Sequence, residues 1–553
     1  MTAGDQALLR LARDEFARGR AAASRALCDE VLARNPDDAE GLHLLAVLEL
    51  SKGDVAAALA PIERALRIDA GDAKKHHTRG LILRAQGRRD DAADAFREVL
   101  RLAPEFPEAH AGLAQMRMEE GELGEAARHF ERALGSRPDV PAWLNDFGIA
   151  LLGLARIPEA EASFRRCIAL APSHSNAWTN LGNALRRSGR AEQALAASRR
   201  ATQGEAPLAI AWVNLGNALR QADRLDEAME CFARATAIAP ASPEAHFSRA
   251  IASLLTGELD RGWDEYRWRF GAPPDAGVRE QVRGAIDARR PLEIRGEQGL
   301  GDALFFLRWA PALRSAGARL WFRGDARLFP LLERSGLFEG FVEEDAPVED
   351  ALALPGGDLP WVTQSLAVSH PPAFPLRASS EFQEAARRLL EGAGPPPYIG
   401  VAWRAGLPST GSAEHLHKMV PLEAMGAALQ RVPGTIVSLQ RGAEAAELAA
   451  LTTSFARPVL DAGGLNADLD AMLGLLAGLD EYAGVSSTNV HLRAGLGASA
   501  RILVPAPGEW RYGRAGAATP WFAGFTLYRE DRENGWTGAL DTLAADLLAR
   551  GTR

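Results

Sequence analysis

Two short stretches of the chain hold residues that could do chemistry. Residues 296–302 read GEQGLGD, three glycines that let a ligand come close to the backbone, followed by the carboxylate of Asp302 at the opening of an apolar helix. The spacing is not that of a dinucleotide fingerprint. A turn between strand and helix nevertheless presents free N–H groups that favour an anion. A carboxylate beside them either takes a proton from an attacking hydroxyl or caps its own helix. Residues 485–491 read VSSTNVH and offer the hydroxyls of Ser486, Ser487 and Thr488 at a helix start, with His491 just inside. Hydroxyls and N–H groups at a helix start suit a phosphate. His491 in that place either serves the ligand or bonds a backbone carbonyl.

The elements that would position these stretches follow from the hydrophobic pattern. PLEIR reads as a strand, ALFFLRWAPALRSAG as an amphipathic helix, ARLWFRG as a strand and DARLFPLLERSG as another helix. After proline-rich joints at PPAFPLRA and GAGPPP, the alternation restarts with YIGVAWRAG, TIVSLQRG and EYAGVSS as strands. Strands alternating with helices specify parallel sheets. Two Rossmann-like halves, 277–394 and 395–553, are expected to enclose a cleft at the carboxyl ends of their strands.

Residues 1–276 obey a different rule, a 34-residue period. Ser24, Ala58, Ala92, Ala126, Ala160, Ala194 and Ala228 share one phase. Gly19, Gly53, Gly87, Gly121, Ala155, Gly189, Asp223 and Gly257 share another, at a turn where positive φ is needed. Phe96, Phe130, Phe164 and Phe232 form a third column, and Pro36, Pro104, Pro138, Pro172 and Pro240 a fourth. Turn, small residue, aromatic and closing proline resemble the tetratricopeptide repeat (TPR), with seven repeats over about 5–242 and an imperfect eighth to about 276. The resemblance implies a superhelix whose concave face binds peptide. AWTNLGNALR and AWVNLGNALR place Asn180 with Asn214, and Asn183 with Asn217, one repeat apart. An amide offers a donor and an acceptor to an extended acceptor chain, or else bridges neighbouring repeats. Asparagine ladders in TPR-bearing O-GlcNAc transferases resemble this arrangement. The aromatic stretch LDRGWDEYRWRFGAPP is expected to cap the last repeat.

The second half, roughly 290–535, resembles the GT-B glycosyltransferases related to the ADP-heptose heptosyltransferases. In that family a Gly-Asp pair opens the first helix and the Asp is the proposed base, which implies Asp302 here. The resemblance also implies donor contacts from Arg404 in IGVAWRAG, Lys418 in HKMVPLEAM, Gln440 in IVSLQRG, and Ser486, Ser487, Thr488 and His491 in AGVSSTNVHLRAGLG. The chain departs from the family at Ser486, where an Asp is usual, and at Ser487, where a Thr is usual. A serine at 486 suits a donor sugar bearing its own carboxylate, such as a CMP-activated nonulosonic acid, or marks lost activity. Trp510 and Arg511 match a family Trp-Arg pattern, or else serve packing alone.

Composition excludes other classes. A formal charge of -9 lacks the basic footprint of a nucleic-acid binder. Cys28, Cys167 and Cys231 are too scattered for a disulfide framework or zinc site and read as core fillers. No run approaches the roughly 18 apolar residues of a membrane span, and a cytoplasmic location is expected. The fold class expected is α + α/β, an all-helical TPR superhelix followed by a GT-B pair. The function expected is metal-independent transfer of a sugar from a nucleotide donor to Ser or Thr of a polypeptide held by the TPR groove, by analogy flagellin. The competing expectations are a non-catalytic TPR adaptor and an enzyme acting on a lipid-linked saccharide.

Overall fold

The computed structural model describes residues 3–203, 207–271, 275–343, 346–364, 370–405 and 419–550. The chain divides into two compact units, Met1–Glu205 and Ala206–Arg553.

The first unit is wholly helical among its described residues, from Ala3–Ala17 to Ala191–Ala201, in antiparallel pairs. The turn column behaves as its chemistry demands, with φ of 76° at Gly19, 80° at Gly53, 75° at Gly87, 81° at Gly121 and 74° at Gly189. Ala155 adopts 59° as well, so the repeat imposes the left-handed turn even on a residue that resists it. The prolines follow the helix ends directly: Pro36 comes after the C-cap Asn35, Pro104 after Ala103, and Pro138 after Arg137.

Close packing inside each repeat has a specific origin. A Cβ added at Gly80 would fall 2.7 Å from the Phe96 ring, and one at Gly148 only 2.4 Å from Phe164. Phe96, Phe164 and Phe232 therefore fit because the facing helix carries glycine, at Gly80, Gly148 and Gly216. In the sixth repeat the aromatic is replaced by Ser198, whose hydroxyl faces Gly182. Cys28 and Cys167 are buried fillers, as expected. Glu40, Asp69 and Asp72 converge on Lys75, whose buried Nζ lies 2.7, 3.0 and 2.5 Å from them, so this acidic cluster already holds its cation.

The second unit begins with two more helix pairs, Ala209–Gln221 with Leu225–Ile238 and Pro243–Thr256 with Leu259–Tyr266. Two parallel sheets follow. The first contains β1 (Pro291–Arg295), β2 (Arg319–Arg323), β3 (Phe338–Val342) and β4 (Leu352–Pro355) in the order β3-β2-β1-β4. The second contains β5 (Tyr398–Ala402), β6 (Thr435–Ser438), β7 (Val459–Asp461), β8 (Glu481–Gly484), β9 (Ala500–Val504) and β10 (Phe525–Arg529). Its order is β10-β9-β8-β5-β6-β7, the doubly wound order in which the first strand lies at the centre. Every residue of β6, β8 and β9 is buried, so none of these strands alternates between an apolar and a polar face.

The helix expected over 303–317 is broken. Leu300–Phe306 is α-helical, Leu307–Trp309 tightens to a 3-10 turn, and Ala310–Ser315 resumes with Pro311 in its first turn. One continuous core runs from Trp263 of the last repeat through Phe305, Phe306 and Trp309 to Trp510 and Trp521. Trp263 meets four of those rings edge-on, at 5.4 to 6.3 Å from Phe306, Trp309, Trp510 and Trp521. That is the capping role expected for LDRGWDEYRWRFGAPP. Among the described residues no helix is long and apolar enough to cross a membrane.

Candidate functional site

The carboxyl ends of the central strands of both sheets open on one cavity of about 500 Å³, within the range of small-molecule sites. In the second sheet β5 lies between β6 and β8, so the chain leaves β5 to one side and returns through β8 on the other. The loops diverge at that switch point and leave a crevice. Ala402 at the end of β5 and Arg404 just after it line it, with Ser486, Ser487, Thr488 and Asn489 after β8. The turn after β1, Gly299 to Asp302, forms the opposite wall.

The two candidate stretches therefore meet. The helix Leu300–Phe306 packs on the helix Thr488–Gly495 at their first turns. Gly301 eases this approach, because a Cβ would sit 3.0 Å from His491 Cδ2 and press on its ring. His491 itself is buried edge-on to Phe305 and Phe522. His491 also lines the cavity, so the residue expected at the donor stands at its wall with its ring against Gly301.

Asp302 does not cap its helix. The N-cap is Gly299, and Asp302 stands in the first turn with its carboxylate paired to Arg511. Arg511 is buried, stacked over Phe305 and Trp510 at 4.7 and 4.5 Å, and also lies 3.6 Å from Glu509. Arg511 thus does more than pack. It joins two carboxylates on the cavity floor.

Arg404, Gln440 and Ser486, three of the expected donor residues, line the cavity with side chains that already have partners in the protein. Arg404 is buried, its guanidinium bonds Glu447 at 2.9 and 3.0 Å, and it donates to the Gly442 carbonyl at 2.8 Å. The bond to Arg404 drives the Glu447 carboxyl down to about 2. Gln440 is also committed, its Oε1 accepting the backbone N–H groups of Trp403 and Arg404 at 3.2 and 3.0 Å, so it shapes the loop after β5. Ser486 does not leave the loop free of acid. Its hydroxyl donates to Glu509 at 3.4 Å, so a carboxylate stands beside it regardless, and the argument for a carboxylate-bearing donor sugar loses its premise. Ser487 precedes the helix with its hydroxyl 3.3 Å from that of Tyr482, and Thr488 opens the helix half-buried in the cavity wall. Lys418 lies outside the described residues.

Several cavity residues were not expected. Arg441 lines the cavity exposed, and its side chain makes no hydrogen bond or ion pair among the described residues, so its guanidinium is open to an anion there. Asn466 and Asn489 bond one another at 3.2 Å, and Arg327 reaches the rim in a pair with Asp325. Arg441 directly follows Gln440, and its position at the end of a strand was the signal available.

The asparagines of the repeats are half-buried and already engaged. Asn180 donates to Asn145 of the preceding repeat at 3.0 Å, and Asn183 accepts from Arg186 at 3.0 Å. In the second unit Asn217 donates to Ser248 of the following repeat at 3.4 Å, while Asn214 is half-buried on the same helix. Asn180 and Asn217 thus bridge neighbouring repeats, while Asn183 bonds within its own helix. The first unit has its own groove, of about 670 Å³, lined by Leu50, Leu81, Arg84, Gln115, Met118 and Asp146. Arg84 donates to Gln115 at 2.6 Å and Gln115 to Asp146 at 3.0 Å, a polar line that steps 31 residues at a time. That step, one helical turn short of the repeat, was legible and was missed.

The tetratricopeptide-repeat family models match residues 9–73, 77–141, 145–210 and 209–242. Protein FlbA of Caulobacter vibrioides (strain ATCC 19089 / CIP 103742 / CB 15) is 28% identical over 346 residues, 56% of this chain and 56% of its own length. The chain thus spans about half the length of the curated relative it matches. Among solved structures, PilF of Pseudomonas aeruginosa is similar at 16% identity and a TM-score of 0.35, over 37% of this chain and 94% of its own. The thermophilic TPR protein TTC0263 of Thermus thermophilus is similar at 23% identity and a TM-score of 0.29, over 33% and 99%. Residues 9–242 are tetratricopeptide repeats, a module for binding protein partners, joined to a region of parallel sheets with covering helices.

Proposed function

We propose that the protein is a glycosyltransferase of the GT-B type, in which the repeats recruit a polypeptide acceptor and the cavity binds a nucleotide-sugar. The observation that carries this reading is the single cavity between the carboxyl ends of two parallel sheets, with Asp302 on one wall and hydroxyls, helix N–H groups and Arg441 on the other. A sugar nucleotide needs those groups: cation and N–H for the phosphates, hydroxyls for the sugar, and a carboxylate where the acceptor hydroxyl enters. Asp302 acts as the base on a Ser or Thr hydroxyl and needs no metal for that step. Flagellin is the first acceptor to test, a choice that rests on family analogy, and the cytoplasm is where such a donor would be met.

Turnover decides the matter. The full chain, given CMP-, UDP-, GDP- and ADP-activated sugars and flagellin, is expected to add the mass of one sugar to flagellin with one of the four. Asp302→Asn, which keeps the shape and loses the base, is expected to slow transfer by roughly 10²-fold or more. A second reading has an observation of its own. The pairing of Asp302 with Arg511, and of Ser486 with Glu509, commits two of the groups that catalysis needs. A non-catalytic adaptor is expected to bind flagellin through the repeats and to leave its mass unchanged with all four donors.

A further inference from the structure

The closing turn of the repeats is bonded into the turn that carries Asp302. Arg267–Phe270 form a 3-10 turn after the last repeat helix. Arg269, with 3% of its side chain exposed, donates to Glu297 at 2.7 Å and to Asp358 at 2.7 Å. Glu297 also accepts the backbone N–H of Gly357. Next to it, the Tyr266 hydroxyl donates to Gln298 Oε1 at 3.1 Å and accepts from Gln298 Nε2 at 2.9 Å.

Gln298 needs that grip. Its φ is 66°, a left-handed conformation that a glutamine keeps only where surrounding bonds hold it. The fit around Glu297 is equally tight, since a Cβ at Gly357 would lie 2.3 Å from Glu297 Oε1 and 2.8 Å from Arg269 Nη2. Glu297 and Gln298 lead directly into Gly299, the N-cap of the helix that presents Asp302.

We infer that the last repeat is a positioning element of the cavity: Tyr266 and Arg269 fix the conformation of Glu297 and Gln298, and through them the direction in which Asp302 faces the cavity. The physical reason is leverage over a short span, because a strained residue just before the N-cap sets the helix's entry angle. A ligand that orders the Asp302 turn then orders the last repeat too, since coupling between two sites is reciprocal. The ligand half of this inference rests on the nucleotide-sugar reading above, and the positioning half stands without it.

Hydrogen exchange on the full chain separates the two. Tyr266→Phe keeps the ring and removes the hydroxyl. Amides of residues 299–303 are expected to exchange about fivefold faster, the population equivalent of one lost hydrogen bond, while those of β1 keep the wild-type rate. Arg269→Gln, which leaves two carboxylates unpaired, is expected to exceed that effect. With CMP, UDP, GDP or ADP at saturation, the wild type is expected to gain protection at both 299–303 and 266–270, and Tyr266→Phe at 299–303 alone. Unchanged exchange at 299–303 in both variants overturns the positioning role and leaves the nucleotide reading intact. Faster exchange with none of the four nucleotides bound upholds positioning and removes the nucleotide reading.

Discussion

In the groove of the first unit a polar partner stands about one repeat away, as Gln115 does 31 residues from Arg84. In the second unit the pair on the cavity floor, Asp302 and Arg511, is separated by 209 residues. The contrast separates two ways of building a surface. A repeat is stabilised by its neighbours and its features recur, so each contact can be lost locally. The cavity is assembled once, from loops that only the two sheets bring together. Damage to one of its buried ion pairs therefore has no second copy to fall back on.

The largest effect should come from Arg269→Met in the second unit. It leaves Glu297 and Asp358 facing one another without their cation, and breaking a buried ion pair on one side costs about 3–5 kcal/mol. Chemical denaturation should show the loss in the transition of the second unit and leave that of the first in place. Equal loss in both transitions would break the contrast between local and singular construction.

Glu447→Gln tests the same construction with a pH signature. Loss of the charged bonds to Arg404 is expected to cost about 1.5–3 kcal/mol at pH 7. Arg404 depresses the folded Glu447 carboxyl to about 2 from an ordinary value of 4.5, so its contribution is fully present above pH 4.5. It is lost as pH falls through 2. Denaturation midpoints of variant and wild type should therefore converge as the pH falls from 4.5 toward 2. A gap that stays constant over that range would assign the pair no electrostatic role.

Inside the repeats the expected effects are smaller and depend on the partner. Gly148→Ala drives a Cβ to 2.4 Å from Phe164 and is expected to cost about 1–3 kcal/mol, the usual range for overpacking. Gly182→Ala faces the small Ser198 side chain, whose hydroxyl can turn aside, and should cost less. The smallest effect is a gain. Ala155→Gly relieves a φ of 59°, and strain relief of roughly 1 kcal/mol or more, partly offset by glycine's extra chain entropy, leaves about 0.5 kcal/mol of added stability. Thermal melts of the three variants rank them.

What the sequence displayed follows the same contrast. The turn column from Gly19 to Gly189 was legible because one conformational demand was repeated at a fixed interval, and Ala155 could be placed by its neighbours alone. The column of Gly80, Gly148, Gly182 and Gly216 is less regular, with Ala46 and Ala114 in the same phase, and glycine inside a helix reads as a defect until its facing ring is known. In the α/β region β1, β2, β5, β6 and β8 were legible as apolar runs after turns. FEGFV, LALP, VLD, ARILV and FTLYR were not singled out, because a run of three to five residues cannot be told from a helix segment by periodicity. The hydroxyls of VSSTNVH were legible as a site since they are contiguous. The commitment of Arg404 was not, because Glu447 lies 43 residues further on and nothing local announces it.

The central claim is that the cavity binds a nucleotide through the exposed guanidinium of Arg441. Titration calorimetry of the full chain with CMP, UDP, GDP and ADP, in wild type and Arg441→Ala, tests it most directly. One of the four is expected to bind, and removal of the guanidinium to weaken it about tenfold or more, the worth of one charged hydrogen bond. Heat from none of the four, or an affinity that Arg441→Ala leaves unchanged, would contradict it.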